Sequence, residues 1–414
     1  MTTIVAEDVL HDLLLTDEGR ANPYPLYRVL HEQAPFYRSE RDGVWYACRH
    51  ATCRQLLLDD RLGHDEEKMF RRPGMTEAQV RRLRERLALR RRRGFSMVTE
   101  NPPDHTRLRR LVSRAFTFRR VEMLRPRIAE LVDEHLDRMA ELGEVDVMAE
   151  LAFPLPVTVI GELVGVPPDQ RERFRPLVRD GMLADGSEPS DEELERAEKS
   201  FEELEGFFTD LIARRRAQPG QDLLSDLIRV RDEEEGRLSE DELMATAFLL
   251  FLAGFVTTTN LIGNGLLALL RHPREMERLW GDGSLVASAV EEMLRYDSPV
   301  QLVARDVLQA SELEGVALAP DQSVVALLGA ANRDPERFAD PDRFDVGRAD
   351  NHPLSFGLGI HHCLGAPLAR AEGQIVFGRF RERFAGIEPL DPEPQVVGRF
   401  LRGLRSLRVR VTPR

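Results

Sequence analysis

Residues Ser355 to Arg370 read SFGLGIHHCLGAPLAR. One cysteine, Cys363, stands among Gly357, Gly359, Gly365, His361, His362 and Pro367, in a chain of 414 residues with only two other cysteines. Pro367 followed by Leu-Ala-Arg-Ala-Glu suits a first helical turn, which puts Cys363 just before or at a helix N-terminus. Free backbone N–H groups and the positive end of the helix dipole favour negative sulfur there, so the thiol is expected to have a depressed pKa. Gly357, Gly359 and Gly365 allow positive φ and, without Cβ atoms, let the backbone lie flat against something wide. A single anionic sulfur on such a loop suits axial ligation of haem iron. A zinc site is the rival, although His361, His362 and Cys363 are crowded and no second ligand pair follows at finger spacing. Cys48 and Cys53 fit no Cys-x-x-Cys-His haem attachment and read as small core hydrophobes.

Working outward, Leu243 to Leu270 runs 28 residues without a charge, long enough to nominate a membrane span. Three glycines, four threonines and two asparagines would then sit at hydrocarbon depth, and the segment is entered through Ser239-Glu-Asp-Glu242, a capping-box pattern. It is read as a helix buried on all sides of a large helical core. Apolar residues at helical spacing recur at 121–142, 201–216, 222–230 and 284–296, and β-type runs fall at 44–48, 300–307, 323–328 and 407–411. No repeat or composition break marks a boundary, so the expectation is one mainly α (α+β) domain over 1–414, with 1–21 as an N-terminal extension. Three cysteines, the lack of an export signal and a net charge of −13 point to a cytoplasmic protein that binds neither nucleic acid nor membrane.

Phe356-x-x-Gly359-x-His361-x-Cys363-x-Gly365 resembles the haem-binding loop of the cytochrome P-450 monooxygenases, and other marks follow in order. Glu292-Met-Leu-Arg295 resembles the family's Glu-x-x-Arg, and the segment 340–348 resembles the one whose arginine, here Arg348, completes a structural triad. The resemblance runs from about Asn22 to the C-terminus and implies the soluble bacterial type, with a helix-rich fold, small sheets and a long central buried helix. It implies haem b held by Cys363 as iron ligand and by Phe356, Gly357 and Gly365, with His105, Arg109, Arg305 and His361 matching propionate ligands. A porphyrin with two carboxylates needs cationic or N–H donors at its rim, and arginine supplies them in bidentate geometry.

Ala253-Gly254-Phe255-Val256-Thr257-Thr258 is similar to the family's Ala-Gly-x-acid-Thr-Thr. The resemblance implies that Thr257 contacts bound dioxygen, that Thr258 and Gly254 share the catalytic stretch, and that the helix is locally distorted near Gly254. Val256 stands where an acid begins the proton relay. Thr258 and Thr259 could hold ordered water instead, while back-bonding to a carbonyl four residues earlier stays open for Thr259. Ala253, Val256, Val300, Gln301, Leu302 and Val303 are expected at the substrate pocket.

Between Arg71 and Arg93 there are ten arginines and two glutamates, and Thr76-Glu-Ala-Gln79 suits the start of a cationic amphipathic helix. Over a substrate pocket such charge would recognise an acidic or carrier-protein-tethered substrate; a solvated face is the alternative. No flavin or nicotinamide GxGxxG fingerprint follows a strand, so the electrons of NAD(P)H must come through external partners. By resemblance these are a ferredoxin and its reductase, docking near Arg109, Arg110, Arg114, Arg119 and Arg120. The function expected is a monomeric monooxygenase that inserts one atom of O2 into a small organic substrate, by hydroxylation or epoxidation, in bacterial specialised metabolism such as antibiotic biosynthesis. The alternative, supported by Val256, is a haem-thiolate protein with peroxide-driven, redox-neutral or ligand-sensing work.

Overall fold

A computed structural model describes residues 2–65, 81, 97–171, 173–181, 190–233, 238–398 and 400–414. Most of the arginine-rich segment 71–93, and with it the helix expected after Thr76, lies outside the described residues.

The capping box at Ser239 forms in both directions. The Glu242 N–H donates to the Ser239 hydroxyl at 3.0 Å and the Ser239 N–H donates to the Glu242 carboxylate at 2.7 Å. With two orphan donors satisfied, the helix starts at Glu240 and runs to Arg271. Its length and composition would suffice to cross a bilayer, yet its second half, from Thr258 to Leu269, is buried without interruption inside the protein. Its polar residues there have work: the Asn264 amide donates to the carbonyls of Asp297 and Arg402 at 3.3 and 3.1 Å. Phe251, Phe255, Leu261 and Leu266 from this helix join Val290, Met293, Phe377 and Phe380 in the largest core. Each fully buried side chain of this kind contributes roughly 1.5–3 kcal/mol of burial free energy.

Helices expected at 121–142, 201–216, 222–230 and 284–296 are found at Phe118–Leu142, Asp191–Ala217, Leu223–Glu233 and Val286–Tyr296. The strands are short and form small sheets. The largest has five, in spatial order Phe36–Arg38, Trp45–Ala47, Ser323–Leu327, Leu302–Val307 and Leu62–Gly63. Only the Trp45–Ala47 and Ser323–Leu327 pair runs parallel. A second sheet sets Arg408–Pro413 between Glu144–Asp146 and Phe384–Pro389. Residues 2–21, expected as an N-terminal extension, form the helices Thr2–Leu15 and Asp17–Ala21, and Val9, Leu10 and Leu13 share a core with Tyr27, Leu30 and Tyr46. Cys48 and Cys53 are buried, as expected of core hydrophobes, and burial pushes both thiols far up.

Candidate haem-thiolate site

The loop around Cys363 is anchored from below by a buried ion cluster. Glu292 and Arg295 lie one turn apart on Val286–Tyr296 and both are fully buried. All five N–H donors of Arg295 are used: two on the Glu292 carboxylate at 2.7 and 2.8 Å, three on the carbonyls of Asn332, Pro341 and Arg343 at 2.8–3.1 Å. Arg348 donates to both oxygens of Glu292 at 3.1 and 3.2 Å, and the Asn351 amide and Asp345 N–H complete the carboxylate's shell. A planar guanidinium fork is what lets one side chain hold three separate backbone carbonyls. From this cluster the chain is tied onward: Asn332 donates to Ser355 Oγ at 2.9 Å, and Ser355 donates to the Leu294 carbonyl at 2.7 Å. The expected triad therefore forms and fixes the start of the cysteine loop.

Within the loop Gly357 and Gly359 take positive φ, +64° and +68°. A Cβ on Gly359 would also lie 2.4 Å from the Leu57 carbonyl oxygen, so only glycine fits. Gly365 corrects the expectation: its φ is −80°, and its missing side chain instead leaves space 3.9 Å from the Cys363 sulfur. The helix Ala366–Arg383 follows, with Pro367 in its first turn as expected. The Cys363 N–H donates to the Phe356 carbonyl at 2.9 Å, and Arg370 lies over the Phe356 ring at 4.5 Å.

The thiol itself also departs from expectation. Burial pushes its pKa up, and this outweighs the backbone N–H groups of Gly365 and Ala366 and the guanidiniums of Arg109 and Arg370, which pull it down. Helix end and arginines lower the cost of an anion without ionising it alone; a bound metal does that, since a coordinating thiol is deprotonated outright.

Above the loop, groups from four separate segments converge. The rings of His105 and His361 lie 4.3 Å apart, and His64 stands edge-on to His361 at 5.0 Å. Arg109 donates to the His362 carbonyl at 2.5 Å, and Arg305 donates to its neighbour's carbonyl at 2.8 Å. Burial and the mutual repulsion of these groups lower every imidazole, His361 to about 2 and His64 to about 3, and burial lowers Arg305 to about 10. Among the described residues, both ring nitrogens of His105 and Nε2 of His361 are buried without a hydrogen-bond partner. Buried polar groups in this state call for a ligand, and the chemistry of this set calls for an anion with more than one acceptor. The propionates of a haem fit that requirement, with Cys363 as the thiolate on the same loop. Sequence reasoning brought His105, Arg109, Arg305 and His361 together correctly and missed His64, which no motif singles out.

On the long helix, Ala253 is exposed and Gly254, Val256 and Thr257 are half-buried, so the helix opens onto a space amid an otherwise packed core. The helix is continuous there, without the distortion expected near Gly254. Thr257 and Thr258 donate to the carbonyls of Ala253 and Gly254 at 3.2 and 3.5 Å, whereas the Thr259 hydroxyl is buried with no partner. The back-bonding left open for Thr259 thus belongs to its two neighbours. A Cβ on Gly254 would lie 2.6 Å from Ile160, so glycine there sets the approach of the helix Pro154–Val164. Val256 and Thr259 line an open cleft of about 1750 Å³ together with Phe153, Asn260, Arg271 and Arg405, a lining that includes neither Cys363 nor any member of the histidine and arginine cluster. Of the other expected pocket residues, Val300 and Val303 pack half-buried against the same apolar cluster as Leu358. Leu302 belongs to the Tyr27 core instead, and Gln301 is tied down behind it, accepting from the Tyr27 hydroxyl at 2.8 Å and donating to the Ser298 carbonyl at 2.6 Å.

Comparison with known proteins bears on the family and the fold. The family model described as Cytochrome P-450 matches residues 187–282 and 284–403. The chain is similar to cytochrome P-450 107B1 of Saccharopolyspora erythraea, 45% identical over 378 residues and 89% of each chain. It is similar to 6-deoxyerythronolide B hydroxylase of the same organism, 40% identical over 407 residues, 96% of this chain and 98% of the relative. Among solved structures it resembles P450BioI in complex with acyl carrier protein carrying hexadec-9Z-enoic acid, at 34% identity and a TM-score of 0.85, covering 95% of this chain and 99% of that one.

Proposed function

Since the chain belongs to the cytochrome P-450 family and is an oxidoreductase of the monooxygenase type that uses haem, O2 and electrons from redox partners, we propose that it hydroxylates or epoxidises a small organic molecule in bacterial specialised metabolism. Cys363 is the iron ligand in this reading, and Phe356, Gly357 and Gly365 shape the loop against the porphyrin face. His105, Arg109, Arg305 and His361 hold the propionates. The observation that carries it is the convergence of these uncompensated N–H groups beside the single loop thiol.

Haem, when bound, supplies the oxygen activation that no amino-acid side chain provides. The chain's own residues do the rest. Val256, half-buried next to Thr257, and Val300 and Val303, packed against the same apolar cluster as Leu358 of the cysteine loop, give the substrate space apolar walls. Thr257 is half-buried next to Val256 and donates its hydroxyl to the Ala253 carbonyl at 3.2 Å; released from that bond, the hydroxyl would be free to hold or pass a proton at this point of the helix. Val256 cannot carry a proton, so the relay must pass through threonine hydroxyls, water or the substrate itself.

The electron donor is a ferredoxin with its reductase, fed by NAD(P)H, and an acidic one suits Arg110 and Arg114, exposed on the helix that carries Arg109, and Arg119, exposed at the start of the next helix. Carrier-tethered substrates are supported by the similar structure that holds an acyl carrier protein. The protein acts as a single-domain cytoplasmic monomer. Turnover with NADH, ferredoxin and reductase, with oxygenated product matched to NADH consumed, tests this function. Product formed only with hydrogen peroxide would instead favour the peroxide-driven reading that Val256 suggests.

A further inference from the structure

His64 belongs to no motif, yet it is the best-anchored member of the cluster above the cysteine loop. Leu62 and Gly63 pair with the strand that carries Arg305, Gly63 opposite Asp306, and the Asp65 N–H donates to the Asp306 carboxylate at 2.8 Å. From the other side the Asn101 side chain brackets His64, accepting from its N–H at 2.9 Å and donating to its carbonyl at 2.8 Å. Asn101 leads directly into the helix of His105 and Arg109, whose first turn is closed by the His105 N–H on the Asn101 carbonyl at 2.9 Å. A Cβ on Gly63 would sit 2.3 Å from Asn101 Oδ1, so the bracket requires a glycine before the histidine. The ring reaches the third element, the cysteine loop, at His361. One residue thus links every segment that contributes a group to the cluster.

Its electrostatic surroundings are lopsided. The charged neighbours acting on His64 are Arg305 and His105, both cationic or neutral and never anionic. Asp306, which pairs with Gly63 across the strands, is already engaged by Ser323 Oγ at 2.6 Å and by the Asp65 N–H. Asp306 gives Arg305 a counter-charge, but the three imidazoles of the cluster are repelled by one another and by Arg109 and Arg305, so an anion at this rim would offset their repulsion.

We propose that His64 is a fifth rim ligand, donating a ring N–H to a haem propionate. The inference rests on the haem reading above. Because the donor is already held in place by the strand pairing and the Asn101 bracket, loss of the bond should appear mainly as faster haem release. The test uses the full chain loaded with hemin, in wild type, His64→Phe and His64→Gln, and follows transfer of haem to excess apomyoglobin. His64→Phe should release haem about tenfold faster, equivalent to about 1.4 kcal/mol, and His64→Gln, which keeps an N–H donor, should fall between it and wild type. The apoproteins should melt together. His11→Gln, on the exposed face of the first helix, should release haem at the wild-type rate. Release from His64→Phe at the wild-type rate would overturn the assignment, as would a crystal structure of the loaded protein with the ring turned from both propionates. If His64→Phe melts early, His64→Gln against His64→Asn in the same assay decides. Wild type that takes up no hemin at all would remove the haem reading itself, a different failure visible before any variant is compared.

Discussion

Replacing Glu292 by leucine should unfasten the cysteine loop. The carboxylate is fully buried, and it receives Arg295, Arg348, the Asn351 amide and the Asp345 N–H. Leucine fills similar volume but leaves Arg295, itself fully buried, without its counter-charge. Removing one partner of a buried pair costs about 3–5 kcal/mol, because the remaining charge is stranded. For a chain of 414 residues, the unfolding entropy is about 0.9 kcal/mol/K, so Tm should fall by about 3–6 °C. The penalty should exceed that of Arg348→Leu, since Arg348 is partly exposed and three of its five bonds are to outlying carbonyls. Calorimetry of the apoprotein measures the shift, and hemin titration measures whether the loop still accepts its ligand. Glu292→Leu melting within a degree of wild type, with unchanged haem uptake, would refute the reasoning that this cluster holds the loop.

Gly359→Ala should also impair haem uptake, because it forces a side chain into positive φ and against the Leu57 carbonyl at 2.4 Å; hemin titration checks it, and normal uptake would show that the loop relaxes freely. The apoprotein should lose stability as pH falls from about 6.5 toward 3. His64 is held neutral with a pKa of about 3, so the unfolded chain binds protons that the native one refuses, and His64→Gln should flatten that part of a pH–Tm profile. Val256→Glu should raise oxygen-dependent turnover and the fraction of NADH ending in product by restoring an acid beside Thr257. Unaltered rate and coupling would show that protons already arrive by another path.

The fold was legible where its signals are local. The capping box at Ser239 and the uncharged run to Leu270 placed the long helix to within three residues at its start and one at its end. The cysteine loop was legible because its glycines, histidine and proline lie within sixteen residues. Long-range placement was harder. His64 meets His361 only because a two-residue strand pairs with the Arg305 strand, a contact with no sequence signature. Gln301 was assigned to the pocket beside Val300, but successive residues on extended chain face opposite sides, and its amide turned to Tyr27. The three threonines look equivalent in sequence, yet the Thr257 and Thr258 hydroxyls donate to carbonyls four residues earlier while the buried Thr259 hydroxyl has no partner among the described residues. The thiol was judged from the helix end alone, and burial proved the larger effect.

The central claim is that Cys363, ionised, is the ligand of a haem iron. Carbon monoxide added to the reduced, hemin-loaded protein tests it most directly. The account predicts the long-wavelength Soret band of a thiolate-ligated ferrous carbonyl, lost in Cys363→Ser, whereas a shorter-wavelength, imidazole-type band in the native protein, or one that survives Cys363→Ser unchanged, would contradict it.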